Sequence, residues 1–340
     1  MKFELEFLED EASKPEESAS WKEIIIGRIE DGRIVPIISN AFTNDLVFGN
    51  HQRLVEGWAR YLHYPFLEQD FDLAKLAQYE SVSQRIGSQI QDEDLVKEKY
   101  LQFLSRALLS MAKRDPAVSA NQRAELEEQV KALTISNLAL HLNYPSLNSP
   151  QDNPLLWLAA LPLPVYLTTS YHDSLEIALQ EKAGKKPRSE IYRWHDRLRH
   201  IPSIFDQERD YQPTPEQPLV YHLHGFDRYP ESLVLTEDDY LDFLANGSGA
   251  ILPRVMEALT QSSLVMLGFS LAAWDFRVLF RGIIRMRPKK LSSVAIQLQE
   301  NDLEKEYLQK YLRQVNFEVE WIDPDDPHRF LRELYEGWAG

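Results

Sequence analysis

Short, nearly continuous apolar runs recur along this chain, and small or polar residues follow the first four of them. Runs of this kind are typical of strands that are covered on both faces. They fall at residues 34–38, 162–169, 219–222 and 263–267, with further strands predicted at 292–298 and 317–321. Helical patterns separate the strands, as in sheets built with crossover helices. We therefore predict an α/β fold with a Rossmann-like, mostly parallel sheet, helices on both faces and an edge strand at 317–321.

A long helical stretch interrupts this alternation after the first strand. Apolar residues recur there at spacings of three and four over 52–64, 71–84, 94–112 and 122–133. This block is too long for one crossover, so we predict a helical module, inserted at about 50–145, that lies over the sheet. Residues 1–30 are expected to form an acidic lead-in and a short helix, and residues 31–340 the main domain. Later helices are predicted at 175–181, 236–246, 252–260, 273–285, 302–314 and 327–338.

Two segments of the second half show neither pattern. Residues 184–188 contain glycine, lysines and arginine and predict a basic turn. Residues 202–218 contain four prolines among polar side chains and predict an excursion without regular structure.

Composition narrows the classes of function. The 340 residues carry a formal net charge of −16, and none of them is cysteine. The acidic balance argues against a nucleic-acid partner, since phosphate backbones require a basic surface. Without cysteine there is no disulfide, no cysteine-ligated zinc and no thiol nucleophile. His51, His63 and His141 also lack the spacing of metal ligands.

The chain also shows no membrane signal. Its first residues lack the apolar segment of a signal peptide, and its longest apolar run, 154–167, is shorter than the roughly 20 residues of a membrane span. We expect a soluble, cytoplasmic protein that binds no metal and contacts no membrane.

Small, hydroxyl or titratable residues stand at the tips of four predicted strands. The tips are 39–43, 168–173, 224–225 and 268–270. Because the carboxyl ends of parallel strands lie along one edge of a sheet, these residues are expected to build one nucleotide site. His224 could exchange protons near neutral pH. It could equally be a core histidine that hydrogen-bonds a backbone carbonyl, and Ser170 or Asp173 could cap the following helix.

The order of these motifs resembles the bacterial sirtuin-like domain found in NAD-consuming anti-phage defence proteins. Val35-Pro36-Ile37-Ile38 followed by 39–43 is similar to the family's Val-Pro-x-Ile strand and its Gly-Ala-Gly-x-Ser turn. Residues 168–172 resemble Thr-Thr-Asn-Tyr-Asp, and His224-Gly225 matches the family's His-Gly motif. Residues 235–240 match Leu-Thr-x-x-Asp-Tyr, and 268–271 match Gly-Tyr-Ser-Leu. The resemblance spans roughly residues 33–281.

This resemblance implies that the chain binds NAD and cleaves its nicotinamide–ribose bond, depleting NAD during phage infection. His224 would act on the ribose hydroxyls as a general base or orienting group. The residues implied in catalysis are His224, Ser170, His172 and Asp173. Those implied in NAD binding are Ser39, Asn40, Ala41, Phe42, Thr43, Thr169, Tyr171, Gly225, Gly268, Phe269 and Ser270. Protein deacylation is not expected, because the family's deacylases generally carry a four-cysteine zinc module.

The chain departs from the family at one site. Ser170 stands where the family has its catalytic asparagine, His172 replaces the aspartate, and Ser39 and Ala41 replace glycines. Two functions therefore stay open. One is an NAD hydrolase, and the other is a catalytically silent domain that binds NAD or a related nucleotide or assembles a defence complex. The resemblance also implies a homo-oligomer or a partner defence protein.

Overall fold

A seven-stranded sheet forms the centre of the molecule. In the computed structural model, the described part of the chain comprises residues 21–66, 71–87, 94–130, 132–142, 144, 153–246, 251–269, 274–282, 294–296, 306, 310, 319–321 and 327–340. The strands are β1 (Ile34–Ile38), β2 (Val165–Thr168), β3 (Arg188–Ile191), β4 (Leu219–His222), β5 (Ser263–Leu267), β6 (Val294–Ile296) and β7 (Val319–Trp321). Their order is β3-β4-β2-β1-β5-β6-β7, and every pairing is parallel. The predicted Rossmann-like α/β fold and the edge strand are confirmed.

Helices connect the strands and cover the sheet. They are α1 (Trp21–Glu30), α2 (Asn40–Phe48), α3 (His51–Tyr61), α4 (Leu73–Gly87), α5 (Leu95–Ala112), α6 (Ala120–Gln129), α7 (Ile135–His141), α8 (Pro154–Ala160), α9 (Ser174–Ala183), α10 (Ile204–Gln207), α11 (Glu237–Asn246), α12 (Pro253–Gln261), α13 (Trp274–Gly282) and α14 (Pro327–Ala339). Two short 3-10 helices, Asp196–His200 and Pro230–Ser232, lie among them.

The sheet is buried on both faces, which explains the continuous apolar runs. In β1, Val35 and Ile37 pack with residues of α11, α12 and α13, whereas Ile34 and Ile38 pack with α1, α8, α9 and α14. Successive side chains of a strand point to opposite faces, so a strand between two helical layers is apolar at most of its positions. All five residues of β1 are accordingly buried.

The helical module, α3 to α7, lies at the carboxyl edge of the sheet. Its core surrounds Trp58 and Tyr100 and also contains Tyr171, Leu233 and Leu235. Tyr171 follows β2, and the two leucines follow β4. We expected the module over the sheet, but its core meets the loops that leave the strand tips. The inserted helices therefore form a wall beside the predicted site.

Two predictions for the second half are corrected at one point each. Residues 184–187 connect α9 to β3 as the expected turn, but Arg188 already belongs to β3. Within the segment predicted to be irregular, Ile204–Gln207 forms a short helix. β3 escaped prediction because its burial is only partial at Arg188 and Ser189, so its sequence lacks an apolar run. Most of the predicted helix at 302–314 and residues 1–20 lie outside the described residues.

Candidate functional site

The four predicted strand tips lie side by side. They end β4, β2, β1 and β5, which are consecutive in the sheet. Backbone hydrogen bonds join neighbouring tips directly: Leu223 N donates to Thr168 O at 2.7 Å, and Ser39 N donates to Leu267 O at 3.0 Å. The backbone N–H of Asn40 also donates to Thr169 Oγ1 at 2.8 Å. The structure therefore brings the predicted residues to one edge, apart from Ser270, which lies outside the described residues.

The first tip is the start of a helix. Ser39 caps α2, since its Oγ accepts from Phe42 N at 3.0 Å and donates to Gly268 O at 2.5 Å. The hydroxyl of Thr43 bonds back to the carbonyl of Asn40 at 3.1 Å, and Ala41 is partly exposed. Asn40 is buried and its Oδ1 has no hydrogen-bond partner within the described chain. A helix N-terminus beside an unpaired acceptor suits a ligand with phosphate and hydroxyl groups.

At the second tip, the side chain of Ser170 hydrogen-bonds the backbone of its own loop. Ser170 Oγ donates to the carbonyl of His172 and accepts from its backbone N–H, both at 3.3 Å. The ring of His172 lies 2.9 Å from Ser174 Oγ through Nδ1, while its buried Nε2 has no partner among the described residues. Burial lowers the pKa of His172 to about 4, so its imidazole is neutral at neutral pH.

Asp173 and Asp227 connect this tip to the helical module. Asp173 Oδ2 pairs with Arg228 at 2.8 Å. The backbone N–H of Asp227 donates to Tyr171 O at 2.7 Å, and its Oδ2 accepts from Ile135 N, at the start of α7, at 3.0 Å. Burial raises the pKa of Asp227 to about 7, and the charge of Asp173 adds to this effect. Sequence reasoning missed Asp227, because nothing in its local pattern shows that it faces α7.

The raised pKa of Asp227 predicts how the stability of the protein depends on pH. Its pKa in the folded protein is about 7, against the ordinary 3.8. Between these values the unfolded chain releases a proton that the folded chain keeps, so the stability contributed by Asp227 is full below pH 3.8 and is lost as pH rises through 7. Asp227→Asn retains an acceptor for Ile135 N but cannot ionise. Denaturant unfolding at pH 8 should show this variant to be more stable than wild type by about 4 kcal/mol, because each unit of the pKa difference corresponds to about 1.4 kcal/mol.

The same comparison at pH 4 is the control. There the carboxyl group is protonated in the folded protein, and the two proteins should differ by under about 0.5 kcal/mol. An equal difference at both pH values would contradict the assignment of the effect to ionisation of Asp227.

His224, at the third tip, is a buried and incompletely satisfied histidine. It is 1% exposed, and its ring meets the edges of Tyr240 and Phe243 with centroids 5.4 Å away in both cases. Its Nε2 has no hydrogen-bond partner within the described chain. Burial lowers the pKa of His224 to about 3. Because Nε2 has no partner, it makes no hydrogen bond to a backbone carbonyl within the described chain.

The two glycines at the tips are required by the chain itself. Gly225 has φ +89°, and a Cβ there would lie 2.2 Å from the carbonyl oxygen of Ser232. Gly268 has φ +71°, and its Cβ would lie 2.5 Å from Cβ of Phe42. Neighbouring protein atoms therefore fill the space that a side chain would need at either position.

The aromatic residues at these tips are packed. Tyr171 is buried and donates its hydroxyl to Val234 O at 2.9 Å. Phe269 is also buried and lies against Phe276 with ring centroids 6.2 Å apart. Both side chains fix the loops around the tips, and both were expected among the NAD-binding residues.

A further carboxyl group, Asp275, lies at the start of α13. It is partly buried, and burial raises its pKa to about 6, with the charge of Asp72 adding to the rise. The electrostatic influence of Asp275 reaches Tyr171 and Tyr240. Asp275 could not be recognised from the sequence, because a lone aspartate in the first turn of a helix is an ordinary dipole partner.

Several buried polar atoms at this edge have no hydrogen-bond partner among the residues that the structure describes, and a ligand could supply the missing partners. Within the described chain they include Asn40 Oδ1, His172 Nε2, Asp173 Oδ1 and His224 Nε2, each buried. Buried polar atoms are rarely left unpaired, so each of them calls for an explanation. Hydroxyl groups of a ligand could donate to such acceptors, and phosphate groups suit the N-terminus of α2.

Metal ions and membranes are two other kinds of partner. Among the described residues, no group of three or more His, Cys, Asp or Glu side chains could hold a metal ion. Over the same part of the chain, no helix combines the length and the apolar character needed to cross a membrane.

Part of this chain is similar to a known family of domains. A search of curated proteins finds no significant match. Residues 164–319 match the sequence model of the SIR2-like domain. This match begins just before β2 and includes the tips of β2, β4 and β5, while β1 and the helical module precede it. The match, which covers less than half of the chain, therefore supports a sirtuin-like domain at these residues.

Proposed function

We propose that this protein hydrolyses NAD to nicotinamide and ADP-ribose, and that it serves bacterial anti-phage defence by depleting NAD. The observation that carries the proposal is the state of His224. It is a neutral, desolvated imidazole with an unpaired Nε2, at a strand tip within the segment that matches the SIR2-like domain. The defence role rests on the resemblance of the motif order to sirtuin-like defence proteins.

The low pKa of His224 favours one of its two proposed roles. A group with a pKa of about 3 is a weak base at neutral pH. It can nevertheless accept a hydrogen bond from a ribose hydroxyl through Nε2 without becoming charged. We therefore assign His224 as an orienting residue for the ribose, with Ser170, His172 and Asp173 at the neighbouring tip. Asn40 and the N-terminus of α2 would hold the hydroxyl and phosphate groups.

The protein must open slightly for this reaction, because His224 is 1% exposed. Tyr240 and Phe243, which pack against its ring, both belong to α11. Movement of α11 would uncover Nε2 and admit the nicotinamide ribose.

His224→Phe tests the proposal. Phenylalanine retains an aromatic ring to pack against Tyr240 and Phe243 but offers no hydrogen bond. We expect the variant to keep a melting temperature within a few degrees of wild type and to lose at least about 100-fold in kcat for NAD hydrolysis. The measurement is release of nicotinamide and ADP-ribose from purified protein, over a range of protein concentrations that includes assembly.

His224→Gln is the matched control, since its amide can still accept a hydrogen bond from a hydroxyl. It should retain more turnover than His224→Phe. Wild-type turnover in a folded His224→Phe protein would overturn the role of this residue.

A second function is favoured by the state of Ser170. Its hydroxyl is occupied by the backbone of His172 and does not point to a free partner. This observation supports a catalytically silent domain that binds NAD or a related nucleotide, or that assembles a defence complex.

Thermal shift distinguishes the two functions. NAD at 100 times its Kd stabilises a protein that binds it by about 2.7 kcal/mol, whether or not it is cleaved.

Three results separate these readings. NAD consumption that His224→Phe abolishes would support the hydrolase. Stabilisation without consumption at any protein concentration would support the silent domain. A protein with neither property has no NAD site. We also propose that the protein forms a homo-oligomer or acts with a partner defence protein, and that it is located in the cytoplasm.

A further inference from the structure

A second histidine lies directly beneath the candidate site. His222 is the last residue of β4 and is 0% exposed. Its Nδ1 lies 3.1 Å from the carbonyl oxygen of Ser170, and its Nε2 lies 2.7 Å from Glu176 Oε1. The imidazole thus contacts both ends of the segment 170–176, which joins the tip of β2 to the first turn of α9.

The hydrogen-bond partners of His222 indicate which of its ring nitrogens carry protons. A carbonyl oxygen only accepts hydrogen bonds, so Nδ1 must carry a proton and donate it to Ser170. Glu176 Oε1 also accepts from Ser189 Oγ, in β3, at 2.7 Å. The contact between Nε2 and Glu176 then requires one further proton, which makes a hydrogen-bonded imidazolium–carboxylate pair or its neutral counterpart.

The surroundings favour the charged form of the ring. Burial lowers the pKa of His222, but the charge and hydrogen bond of Glu176, the carbonyl of Ser170 and the charge of Asp173 together raise it above its ordinary value. His222 in turn lowers the pKa values of His172 and Asp227. The face of the ring stacks on Phe226, with centroids 4.3 Å apart.

We propose that His222 is a positioning residue that holds the segment 170–176 in place from β4, through Ser170 O and Glu176. The segment contains Ser170, His172 and Asp173, so the consequence for turnover rests on the proposed NAD hydrolysis. His222 does not itself face the ligand, since both of its nitrogens are engaged. Loss of the ring releases the segment at both ends.

Three variants separate the two contacts. His222→Phe retains the stacking on Phe226 and removes both hydrogen bonds. His222→Asn places an amide N–H near the position of Nδ1 and can still donate to Ser170 O. Glu176→Gln removes the charge beside Nε2 and keeps a polar group there.

The first measurement is NMR of histidine labelled with ¹³C and ¹⁵N in the intact chain. We expect wild-type His222 to stay doubly protonated to higher pH than a free imidazole. In Glu176→Gln its titration should move to lower pH by about one unit or more. A packing role alone would not produce this displacement, and an unchanged titration in Glu176→Gln would overturn the proposal.

The second measurement is NAD hydrolysis. His222→Phe should lower kcat about 10- to 100-fold with KM within about threefold, because misplaced groups cost turnover more than binding. His222→Asn should recover most of that loss. In Glu176→Gln the pH at which kcat declines should move down together with the NMR titration. Equal kcat in His222→Phe and wild type would overturn the proposal.

Failure of the proposed function gives a different pattern. If wild-type protein consumes no NAD, hydrogen exchange of the amides in 170–176 replaces the kinetic measurement. Faster exchange in His222→Phe, near wild-type exchange in His222→Asn and the displaced titration in Glu176→Gln would then support positioning without catalysis. Unchanged exchange in His222→Phe would overturn it.

Discussion

Gly225→Ala should unfold this protein or destabilise it by at least about 3 kcal/mol. The added Cβ would lie 2.2 Å from the carbonyl oxygen of Ser232, 2.4 Å from its carbonyl carbon and 2.6 Å from Leu233 N. These are backbone atoms, so no side-chain rotation can relieve the overlap. The φ of +89° adds a conformational cost for any residue with a Cβ. Proteins of ordinary stability have about 5–15 kcal/mol to lose.

Gly184→Ala is the matched control for this experiment. Gly184 ends α9 with φ +59°, and a Cβ there would meet nothing within 4 Å. It therefore isolates the conformational cost, which is about 1 kcal/mol. Urea unfolding followed by circular dichroism measures both variants. Similar losses in the two proteins would show that the loop around Ser232 moves away and that the close packing of Gly225 is not essential.

The role of Gly225 shows where sequence reasoning about the site stopped. Its position at a strand tip, next to His224, could be predicted because a short buried strand ends just before it. The reason for the glycine could not be predicted, since the group that approaches it is the backbone of Ser232, at the end of the short 3-10 helix Pro230–Ser232. The sequence therefore identified the position of Gly225 correctly. It suggested that a ligand lies against this residue, whereas the backbone of Ser232 does so.

The sheet itself was predictable to the extent that its strands are fully buried. β1, β4 and β5 were predicted at their observed bounds, because helices on both faces require apolar residues throughout. β3 lies at the edge of the sheet and is only partly buried, so a polar sequence is tolerated there. Edge strands of this kind are defined by their pairing with a neighbour, which the local pattern does not contain.

The residues that support the tips were the least predictable part of the site. His222 occupies a strand position, yet its two hydrogen-bond partners lie 46 and 52 residues away in sequence. Asp227 binds the backbone of Ile135, 92 residues away. The contacts of His222 follow from the pairing of β4 with β2, and the contact of Asp227 follows from the packing of α7 against the loop after β4. No periodicity in the sequence reports either. The orienting histidine could be suggested from a motif, but the groups that fix its surroundings could not.

Lys97→Met should destabilise the protein by about 3–5 kcal/mol, through the contact that joins the helical module to the sheet. Lys97 belongs to α5 and is 1% exposed. Its Nζ pairs with Asp239 Oδ1 at 3.0 Å and lies 5.1 Å from the ring centroid of Trp194. Asp239 Oδ2 caps α11 by accepting from Leu235 N and Thr236 N. Methionine preserves the apolar stem but leaves the charge of Asp239 without its closest partner, which is costly in a buried site.

Lys113→Met provides a matched control, because it removes a lysine from a salt bridge of similar length at the end of the same helix. Lys113 Nζ lies 2.9 Å from Glu127, but its side chain is 62% exposed. Exposed pairs contribute little, so the loss should be under about 0.5 kcal/mol. A double variant, Lys97→Met with Asp239→Asn, removes the uncompensated charge and keeps an acceptor for the cap, and it should recover part of the stability. If Lys97→Met costs no more than Lys113→Met, the buried lysine does not hold the module, and the wall beside the candidate site is held by its apolar core alone.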